Sequence, residues 1–289
     1  MKKIAAILSL LMVLCLLMSS CAGKAAERRE DIIEDGKTVG VKLYEGDKLV
    51  GVEYYGDDGK TVRSEAYDGD GNLILEKFFS AEGALVSEKE YIYDGSELVR
   101  VRETMYRGDG TVKCISETDY SGDNITEKRD KKYSDDGETL LSDSSTSYTY
   151  TSEGVLEVIS EGGEKSSDKM TNSATGAVIY TTTYTKDGSS RVFYDEKGNR
   201  NRTESYDAAG VLTQYTDSVQ DKDGHCVRSN TYDSSGKLLM YSLYTYDEGE
   251  KVKEISVYKS DDTLWRVIKY NAKGETVTYD ANGKELFVG

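Results

Sequence analysis

A short unit recurs along most of the chain: an aromatic residue, three small or polar residues, and a glycine. Tyr67-Asp-Gly-Asp-Gly71 and Tyr206-Asp-Ala-Ala-Gly210 are two examples. Apolar and β-branched residues follow each glycine, as in Leu73-Ile74-Leu75, and polar and apolar positions then alternate up to the next tyrosine. Alternation with a period of two over about seven residues is typical of a β-strand. The pattern therefore predicts strands separated by tight turns.

The spacing of the glycines predicts how these strands are connected. Gly59, Gly71 and Gly83 are 12 residues apart, and so are Gly198 and Gly210. A connection this short joins antiparallel neighbours, because parallel strands need a crossover of about a dozen residues. The acidic residue can accept hydrogen bonds from the turn, and the glycine can adopt a positive φ. The predicted turn glycines are Gly59, Gly71, Gly83, Gly110, Gly188, Gly198, Gly210, Gly236 and Gly283.

The predicted fold class is all-β: an antiparallel β-meander of strand–turn repeats, with roughly 18 strands by the turn count. The chain has no proline and only 37% hydrophobic residues. Missing proline agrees with interior strands that are paired on both edges. The low apolar content disfavours a thick sandwich core, so we expect a long twisted or spiralling single-layer sheet.

The N-terminus has the features of an export signal. A cationic start, Met1-Lys2-Lys3, precedes an apolar run over residues 4–18, which is shorter than the roughly 20 residues of a membrane-spanning helix. Met18-Ser-Ser-Cys21 resembles a bacterial lipobox, which implies cleavage after residue 20 and diacylation of Cys21. The alternative is an ordinary signal peptide with an incidental cysteine. The predicted location is extracytoplasmic, with the N-terminal acyl chains anchored in a bacterial membrane.

The spacing of the repeat units divides the rest of the chain into segments. Residues 21–36 are predicted to be the lipidated cysteine and a tether, residues 37–141 a β-repeat array, and residues 177–289 a second array. Residues 142–176 are rich in Ser, Thr and Gly and lose the regular glycine spacing. This segment is interpreted either as degenerate repeats in a long hairpin or as a hinge or binding loop.

The charge balance and the scarce histidine narrow the possible chemistry. With 37 basic and 53 acidic residues the net charge is −16, which repels nucleic acid. The single histidine, His225, disfavours histidine-based catalysis and metal sites. We expect no metal or cofactor, and we interpret segments such as Asp68-Gly-Asp-Gly-Asn72 as acidic turns rather than calcium loops. No motif predicts an enzyme.

The two internal cysteines are expected to stay unpaired. Cys114 and Cys226 would be about eight or nine strands apart, far beyond the ~6 Å reach of a disulfide in an open sheet. His225 and Cys226 are adjacent in a predicted strand. Their side chains would therefore point to opposite faces, which disfavours a cysteine nucleophile.

The repeat resembles a known family. Tyr67-Asp-x-x-Gly71-x-Leu73, Tyr206-Asp-x-x-Gly210-x-Leu212 and Tyr232-Asp-x-x-Gly236-x-Leu238 are similar to the YD repeats of RHS proteins, over about residues 50–289. Paired units also resemble MORN-type β-hairpin repeats. The resemblance implies a repetitive β-sheet, and because some YD repeats bind carbohydrate, it implies a binding role.

The predicted function is that of a cell-envelope lipoprotein with a non-catalytic binding or scaffold module, for a cell-wall or surface glycan. Tyrosine rows could stack on sugar rings, or they could simply fill the repeat. The candidate binding aromatics are Tyr67, Tyr91, Tyr194, Tyr206 and Tyr232. The alternative is an immunity or antitoxin-like lipoprotein that binds a secreted toxin or another protein. Exposed edge strands would also allow the chain to associate with itself.

Overall fold

A computed structural model of the chain describes residues 28–271 and 273–288. These residues form one antiparallel sheet of 22 strands in meander order, which is not closed, and they contain no helix. The prediction of an all-β meander is confirmed. In this part of the chain no helix could cross a membrane. The predicted signal peptide and Cys21 lie outside the described residues.

The strands follow one another in chain order. They are β1 (Arg28–Glu34), β2 (Lys37–Glu45), β3 (Lys48–Tyr55), β4 (Thr61–Tyr67), β5 (Leu73–Phe79), β6 (Leu85–Asp94), β7 (Glu97–Tyr106), β8 (Val112–Ser121), β9 (Asn124–Tyr133), β10 (Leu140–Tyr150) and β11 (Val155–Glu161). They continue with β12 (Glu164–Thr171), β13 (Val178–Thr185), β14 (Gly188–Tyr194), β15 (Arg200–Asp207), β16 (Leu212–Gln220), β17 (Cys226–Asp233), β18 (Leu238–Tyr246), β19 (Val252–Lys259), β20 (Leu264–Tyr270), β21 (Thr276–Asp280) and β22 (Glu285–Val288).

The recurring turn is held by its aspartate and closed by its glycine. In the turn after β15, the N–H of Gly210 donates to the carbonyl oxygen of Asp207 at 3.0 Å. The Asp207 carboxylate accepts hydrogen bonds from the N–H groups of Ala209 and Val211, both at 2.9 Å. Gly210 has a φ of 78°, which a residue with a Cβ adopts only at a cost. A β-bulge between Ser205 and Tyr206 accompanies the turn.

Gly188 differs from the other predicted turn glycines. Thr185 pairs directly with Gly188, so only Lys186 and Asp187 form the loop and Gly188 is the first residue of β14. Its φ is 147°, and a Cβ at this position would lie 2.1 Å from the carbonyl oxygen of Tyr206. Close approach of the neighbouring strand, rather than closure of a turn, therefore requires glycine here.

The number of strands exceeds the predicted number because some turns lack the five-residue unit. Glu34 pairs with Lys37, and Glu45 pairs with Lys48, so two residues make each of these loops. Glu161 pairs with Glu164 across a Gly-Gly loop. Two-residue loops with glycine at positive φ are typical of β-hairpins. Counting the Tyr-x-x-x-Gly units missed such connections.

The assignment of residues 28–34 needs correction. Residues 28–34, assigned to the tether, form β1, where the Arg28 guanidinium lies 4.0 Å from the ring centre of Tyr44 on β2. These cross-strand contacts hold a charged segment that has little apolar surface. Residues 142–176, interpreted as degenerate repeats or as a hinge, contain the end of β10 and all of β11 and β12, which continue the meander.

The chain divides into two compact units. The first contains the described residues up to 124 together with residues 130–141, and the second contains residues 125–129 and the described residues from 142 onward. Buried hydrophobic side chains are few in each: Val41, Val52 and Leu75 in the first unit, and Met170, Tyr241 and Val257 in the second. Buried polar residues accompany them: Glu76, Ser87, Thr104, Asp168, Thr182, Ser229 and Thr278. Much of the stability must therefore come from polar and aromatic contacts between strands.

Candidate functional site

One arginine of the first unit holds two nearly buried carboxylates. Alternation along β4 places Arg63, Glu65 and Tyr67 on one face, and Glu76 of β5 pairs with Glu65 across the strands. Arg63 Nη2 lies 2.5 Å from Glu65 Oε1 and 2.5 Å from Glu76 Oε1, and these two side chains are 7% and 9% exposed. The Tyr67 hydroxyl donates to Glu65 at 2.6 Å, and the Tyr91 hydroxyl donates to Glu76.

The electrostatics of this cluster favour the charged form of Glu76. Burial raises the pKa of Glu76, but hydrogen bonds from Tyr91 and Arg63, with the charge of Arg63, outweigh it and hold that pKa below its usual value. Burial, and next the hydrogen bond to Glu65, raise the pKa of Tyr67 well above its ordinary value. A general acid needs a pKa near the working pH. The lowered pKa of Glu76 suits an ion-pair role.

The second unit repeats this arrangement on β15. Arg202 Nε lies 2.8 Å from Glu204 Oε1, and Nη1 lies 3.2 Å from Asp217 Oδ1 on β16. The Tyr206 hydroxyl donates to Glu204. The Arg202 guanidinium also lies 4.0 Å from the centre of the Tyr215 ring. The pKa of Tyr206 is raised, chiefly by burial and next by its hydrogen bond to Glu204.

Sequence reasoning missed the arginine that precedes these tyrosines. Arg63 and Arg202 each stand four residues before the tyrosine of the repeat, with a glutamate between them at the second position. A third copy on β17 has asparagine in place of glutamate, and Arg228 Nε donates to Asn230 Oδ1 at 2.7 Å. Even spacing places such residues on one strand face, so the signal was present in the sequence.

In the second unit these arginines join a longer arrangement that we call the Arg–Tyr row. Its members are Tyr180, Arg191, Arg202, Tyr215, Arg228, Tyr232, Tyr241 and Tyr258. Guanidinium groups lie 4.4 Å from the ring centre of Tyr180, 4.0 Å from Tyr215 and 4.2 Å from Tyr241. The Tyr215–Tyr232 and Tyr241–Tyr258 pairs stack with ring centres 4.9 Å apart. Guanidinium or a second ring thus covers ring faces in this row.

We call the strand face that carries this row the Arg face of the second unit. The candidate aromatics Tyr206 and Tyr232 lie on it. Tyr194 does not: its hydroxyl lies 3.3 Å from Thr181 Oγ1 on the opposite face. The remaining two candidates, Tyr67 and Tyr91, belong to the first unit. All five are half-buried. Within the first unit, Tyr67 and Tyr91 both hydrogen-bond to carboxylates that share Arg63.

Thr182 of β13 pairs with Arg191, a member of the Arg–Tyr row, and holds its side chain. It is 2% exposed, and its hydroxyl accepts a hydrogen bond from Arg191 Nε at 2.9 Å. Replacing Thr182 with valine keeps the shape but leaves this donor without its acceptor, so we expect a loss of about 1–2 kcal/mol in the free energy of unfolding. Urea denaturation of the full chain measures it. The control is Thr245→Val, an exposed position on the same face. Equal effects of the two substitutions would contradict the prediction.

The carboxylates of the acidic turns accept hydrogen bonds from residues of the same turn. Asp68 Oδ1 accepts hydrogen bonds from the N–H groups of Asp70 and Asn72, both at 2.9 Å, and Asp68 Oδ2 accepts one from Asn72 Nδ2. These side-chain hydrogen bonds lower the pKa of Asp68. Within the described residues, no group of three His, Cys, Asp or Glu side chains is placed to hold a metal ion.

His225 and Cys226 do not face each other. The His225 ring packs against Tyr246 with ring centres 4.9 Å apart, and its Nδ1 lies 3.4 Å from Asp221 Oδ2. Cys226 Sγ contacts the carbonyl oxygen of Arg228 at 3.4 Å. Burial raises the pKa of the Cys226 thiol, which disfavours the reactive thiolate. In the part of the chain described, Cys114 and Cys226 are free thiols.

A shallow cavity lies beside Tyr67. Its volume is about 230 Å³, and it is lined by Lys48, Leu49, Tyr67 and the turn over residues 68–71. The Lys48 ammonium spans it and donates to the carbonyl oxygen of Gly69 at 2.8 Å. Pockets for small ligands usually measure roughly 300–1,000 Å³, so this cavity is smaller than a typical small-molecule site.

Comparison with known proteins finds only distant similarity. No protein-family model and no curated protein matches the chain. Among solved structures, a mutant of S. aureus TarM in complex with fondaparinux, α-GlcNAc-glycerol and UDP is 14% identical, covers 50% of this chain and 21% of its own, and has a TM-score of 0.18. The structure TcdB2-TccC3-TEV is 11% identical, covering 89% and 17%, with a TM-score of 0.19. A porin-like protein from Bacteroides uniformis is 10% identical, covering 69% and 92%, with a TM-score of 0.25. This chain thus spans about a fifth of the length of the first two.

Proposed function

We propose that this chain is a cell-envelope lipoprotein whose β-sheet is a non-catalytic binding module for a cell-wall or surface glycan. One observation carries the proposal: half-exposed tyrosines and hydrogen-bonding groups recur on successive strands, and the cavity beside Tyr67 is shallow. Such a surface suits a long polymer better than a small substrate. The N-terminal pattern ending in Cys21 supports the lipoprotein assignment, and the resemblance to YD repeats supports carbohydrate binding.

The carboxylates of the Arg63 and Arg202 clusters support a binding role rather than catalysis. Glycosidases need two carboxyl groups, one of them with a raised pKa to donate a proton. Glu65 and Glu76 instead share Arg63, and Glu204 and Asp217 share Arg202. Each pair is held by one guanidinium, and these carboxylates serve to position the strands.

A protein partner is the second candidate, and the Arg–Tyr row favours it. Tyrosine and arginine are enriched at protein interfaces and at their energetic hot spots. In the stacked pairs of this row a ring face is covered by its neighbour, which leaves edges and hydroxyl groups for contacts. An immunity-type lipoprotein that binds a secreted toxin would use such a surface.

Self-association through edge strands is disfavoured at β1. The first strand described, β1, has the sequence Arg-Arg-Glu-Asp-Ile-Ile-Glu. Charged side chains on an edge strand are a device by which proteins avoid edge pairing. This composition disfavours pairing with a second copy at that edge.

A pulldown distinguishes the two partners. The full chain is extracted in detergent, immobilised and exposed to an envelope extract. We expect it to retain glycan from the extract, and to retain none when the extract is first treated with glycan-digesting enzymes. If a single protein were retained equally from the digested and the undigested extract, the partner would be that protein and not a glycan. Failure to retain either would contradict the binding proposal itself.

A further inference from the structure

The face of the second unit opposite the Arg face is lined by hydroxyl groups from β13 to β18, and we call it the hydroxyl face. Its residues pair across the strands: Thr183 with Ser190, Ser190 with Ser205, Thr203 with Thr216, Thr216 with Thr231, Ser218 with Ser229, and Ser229 with Ser242. Because side chains alternate along each strand, all of these hydroxyls point away from the Arg–Tyr row.

The hydroxyl face is uncharged in a strongly charged chain. Charged residues make up 31% of the sequence, with a net charge of −16, yet none occupies the paired positions given above. Charged residues stand at the margin: Asp207 pairs with Gly188, and Asp233 pairs with Gln214, while Lys169 and Lys259 on the flanking strands pair with Thr181 and Met240. Both carboxylates accept hydrogen bonds from N–H groups of their own turns. A ligand at the paired positions would therefore meet hydroxyl groups and not ions.

Hydrogen bonds within the hydroxyl face hold its side chains in place. Thr216 Oγ1 and Thr231 Oγ1 are 3.0 Å apart. Ser229 Oγ lies 3.1 Å from the Tyr244 hydroxyl, and Thr181 Oγ1 lies 3.3 Å from the Tyr194 hydroxyl. A hydroxyl group has one donor and two acceptor positions, so each keeps capacity for a ligand. Side chains that are already ordered lose less entropy on binding.

The regular spacing of these groups favours a repeating ligand. Neighbouring strands lie about 4.8 Å apart, so the row Thr203, Thr216, Thr231 places one hydroxyl at each such step. Val192 of β14 and Met240 of β18 flank these three threonines, so the row spans about 10 Å. The pairs Ser190–Ser205, Ser218–Ser229 and Ser229–Ser242 lie in the neighbouring rows. A polymer with donors and acceptors at every repeat can bond to several of them at once. Tyr194 and Tyr244 add an aromatic ring each at this face.

We propose that the hydroxyl face binds an uncharged, extended polysaccharide. This rests on the proposed function, and it names both the class of glycan and the surface. An anionic polymer would need cations to neutralise it, and these paired positions offer none. A neutral polyhydroxylated chain exchanges hydrogen bonds with water for hydrogen bonds with Thr and Ser without desolvating a charge, which costs far more.

The test uses the full chain in detergent and the neutral oligosaccharide chitohexaose, with heparin as the anionic probe, measured by calorimetry. We expect chitohexaose to bind and heparin not to bind. The variant Thr203→Val/Thr216→Val/Thr231→Val removes three hydroxyls while it keeps the β-branched shape, and we expect it to weaken binding about tenfold or more. Ser189→Ala/Thr245→Val removes hydroxyls from the Arg face and is the matched control. Circular dichroism of each variant confirms that the sheet is retained.

A second variant tests the same face by blocking it rather than by removing hydrogen bonds. Thr216→Lys places a charge and a long side chain in the middle of the hydroxyl face and should abolish binding of chitohexaose. Unchanged binding of chitohexaose in both variants would overturn the assignment to this face. If the immobilised chain still retained wall glycan in the pulldown, the proposed function would stand. Tighter binding of heparin than of chitohexaose would overturn the class of ligand. Loss of retention in the pulldown together with no binding of either probe would refute both proposals.

Discussion

Replacing Arg63 with methionine is expected to lower the free energy of unfolding by about 2–3 kcal/mol. Arg63 is the cation that Glu65 and Glu76 share, and those two carboxylates pair directly across β4 and β5. Removing one partner from a buried ion pair costs about 3–5 kcal/mol because a charge remains buried alone. Arg63 itself is 39% exposed, so solvent screening reduces that figure.

The measurement is urea denaturation of the full chain at neutral pH. Lys60→Met is the matched control, because Lys60 pairs with Asp58 at 3.3 Å on an exposed surface, where an ion pair contributes about 0–1 kcal/mol. Adding Glu65→Gln and Glu76→Gln to Arg63→Met should restore much of the lost stability, since no charge is then left unpaired. Equal losses for Arg63→Met and Lys60→Met would show that the cluster does not hold the two strands together.

The pH dependence of this variant has a definite sign. The pKa of Glu76 is held below its usual value in the folded chain. Its ion pair therefore contributes stability above the pKa of the unfolded state, and this contribution is lost as the pH falls through the lower, folded value. The difference between the wild-type chain and Arg63→Met should accordingly shrink in acid. A constant difference from neutral to acid pH would contradict this origin of the effect.

The second large effect is expected at Gly188, where alanine should cost about 3 kcal/mol or more. The φ of Gly188 is 147°, a region that residues with a Cβ rarely enter, and strain of this kind costs about 1–3 kcal/mol. The new Cβ would also lie 2.1 Å from the carbonyl oxygen of Tyr206. Since that oxygen belongs to the backbone of β15, relief requires the strands to separate, which adds about 1–3 kcal/mol.

Gly210→Ala is the control for Gly188→Ala. Gly210 has a φ of 78°, and no atom lies within 4 Å of the position of its Cβ. Only the backbone conformation opposes alanine there, which costs roughly 1–2 kcal/mol. Thermal unfolding of both variants should show the larger decrease in Tm for Gly188→Ala. The reverse order would mean that β14 and β15 can move apart at little cost.

The alternation of polar and apolar residues and the Tyr-x-x-x-Gly unit were enough to predict an antiparallel meander. Both are local properties: a turn closed by hydrogen bonds within five residues forces the next strand to lie beside the last. The same logic failed where the local signal was absent. Loops of two residues, such as that between Glu161 and Glu164, lack the unit, and β1 has the composition of a linker.

The candidate aromatics show what the repeat could not predict. Tyr194 and Tyr206 occupy equivalent places in their units, yet they lie on opposite faces of the sheet. Tyr206 pairs with Ser189, which stands five residues before Tyr194 on β14, so Tyr206 and Tyr194 point to opposite faces. A shift of one residue moves every following side chain to the other face. Register therefore decides which tyrosines share a surface.

By itself, the sequence determined the fold class, the direction of each connection and the polar character of the surfaces, because these follow from residue type and from contacts within one repeat. The tertiary structure alone decided that Arg63 joins Glu65 to Glu76, that arginine covers the tyrosine rings, and that Thr203, Thr216 and Thr231 form one row. Such groupings depend on the register between strands that are neighbours in space. That register is the sum of turn lengths and bulges, and a small error in any of them changes the face.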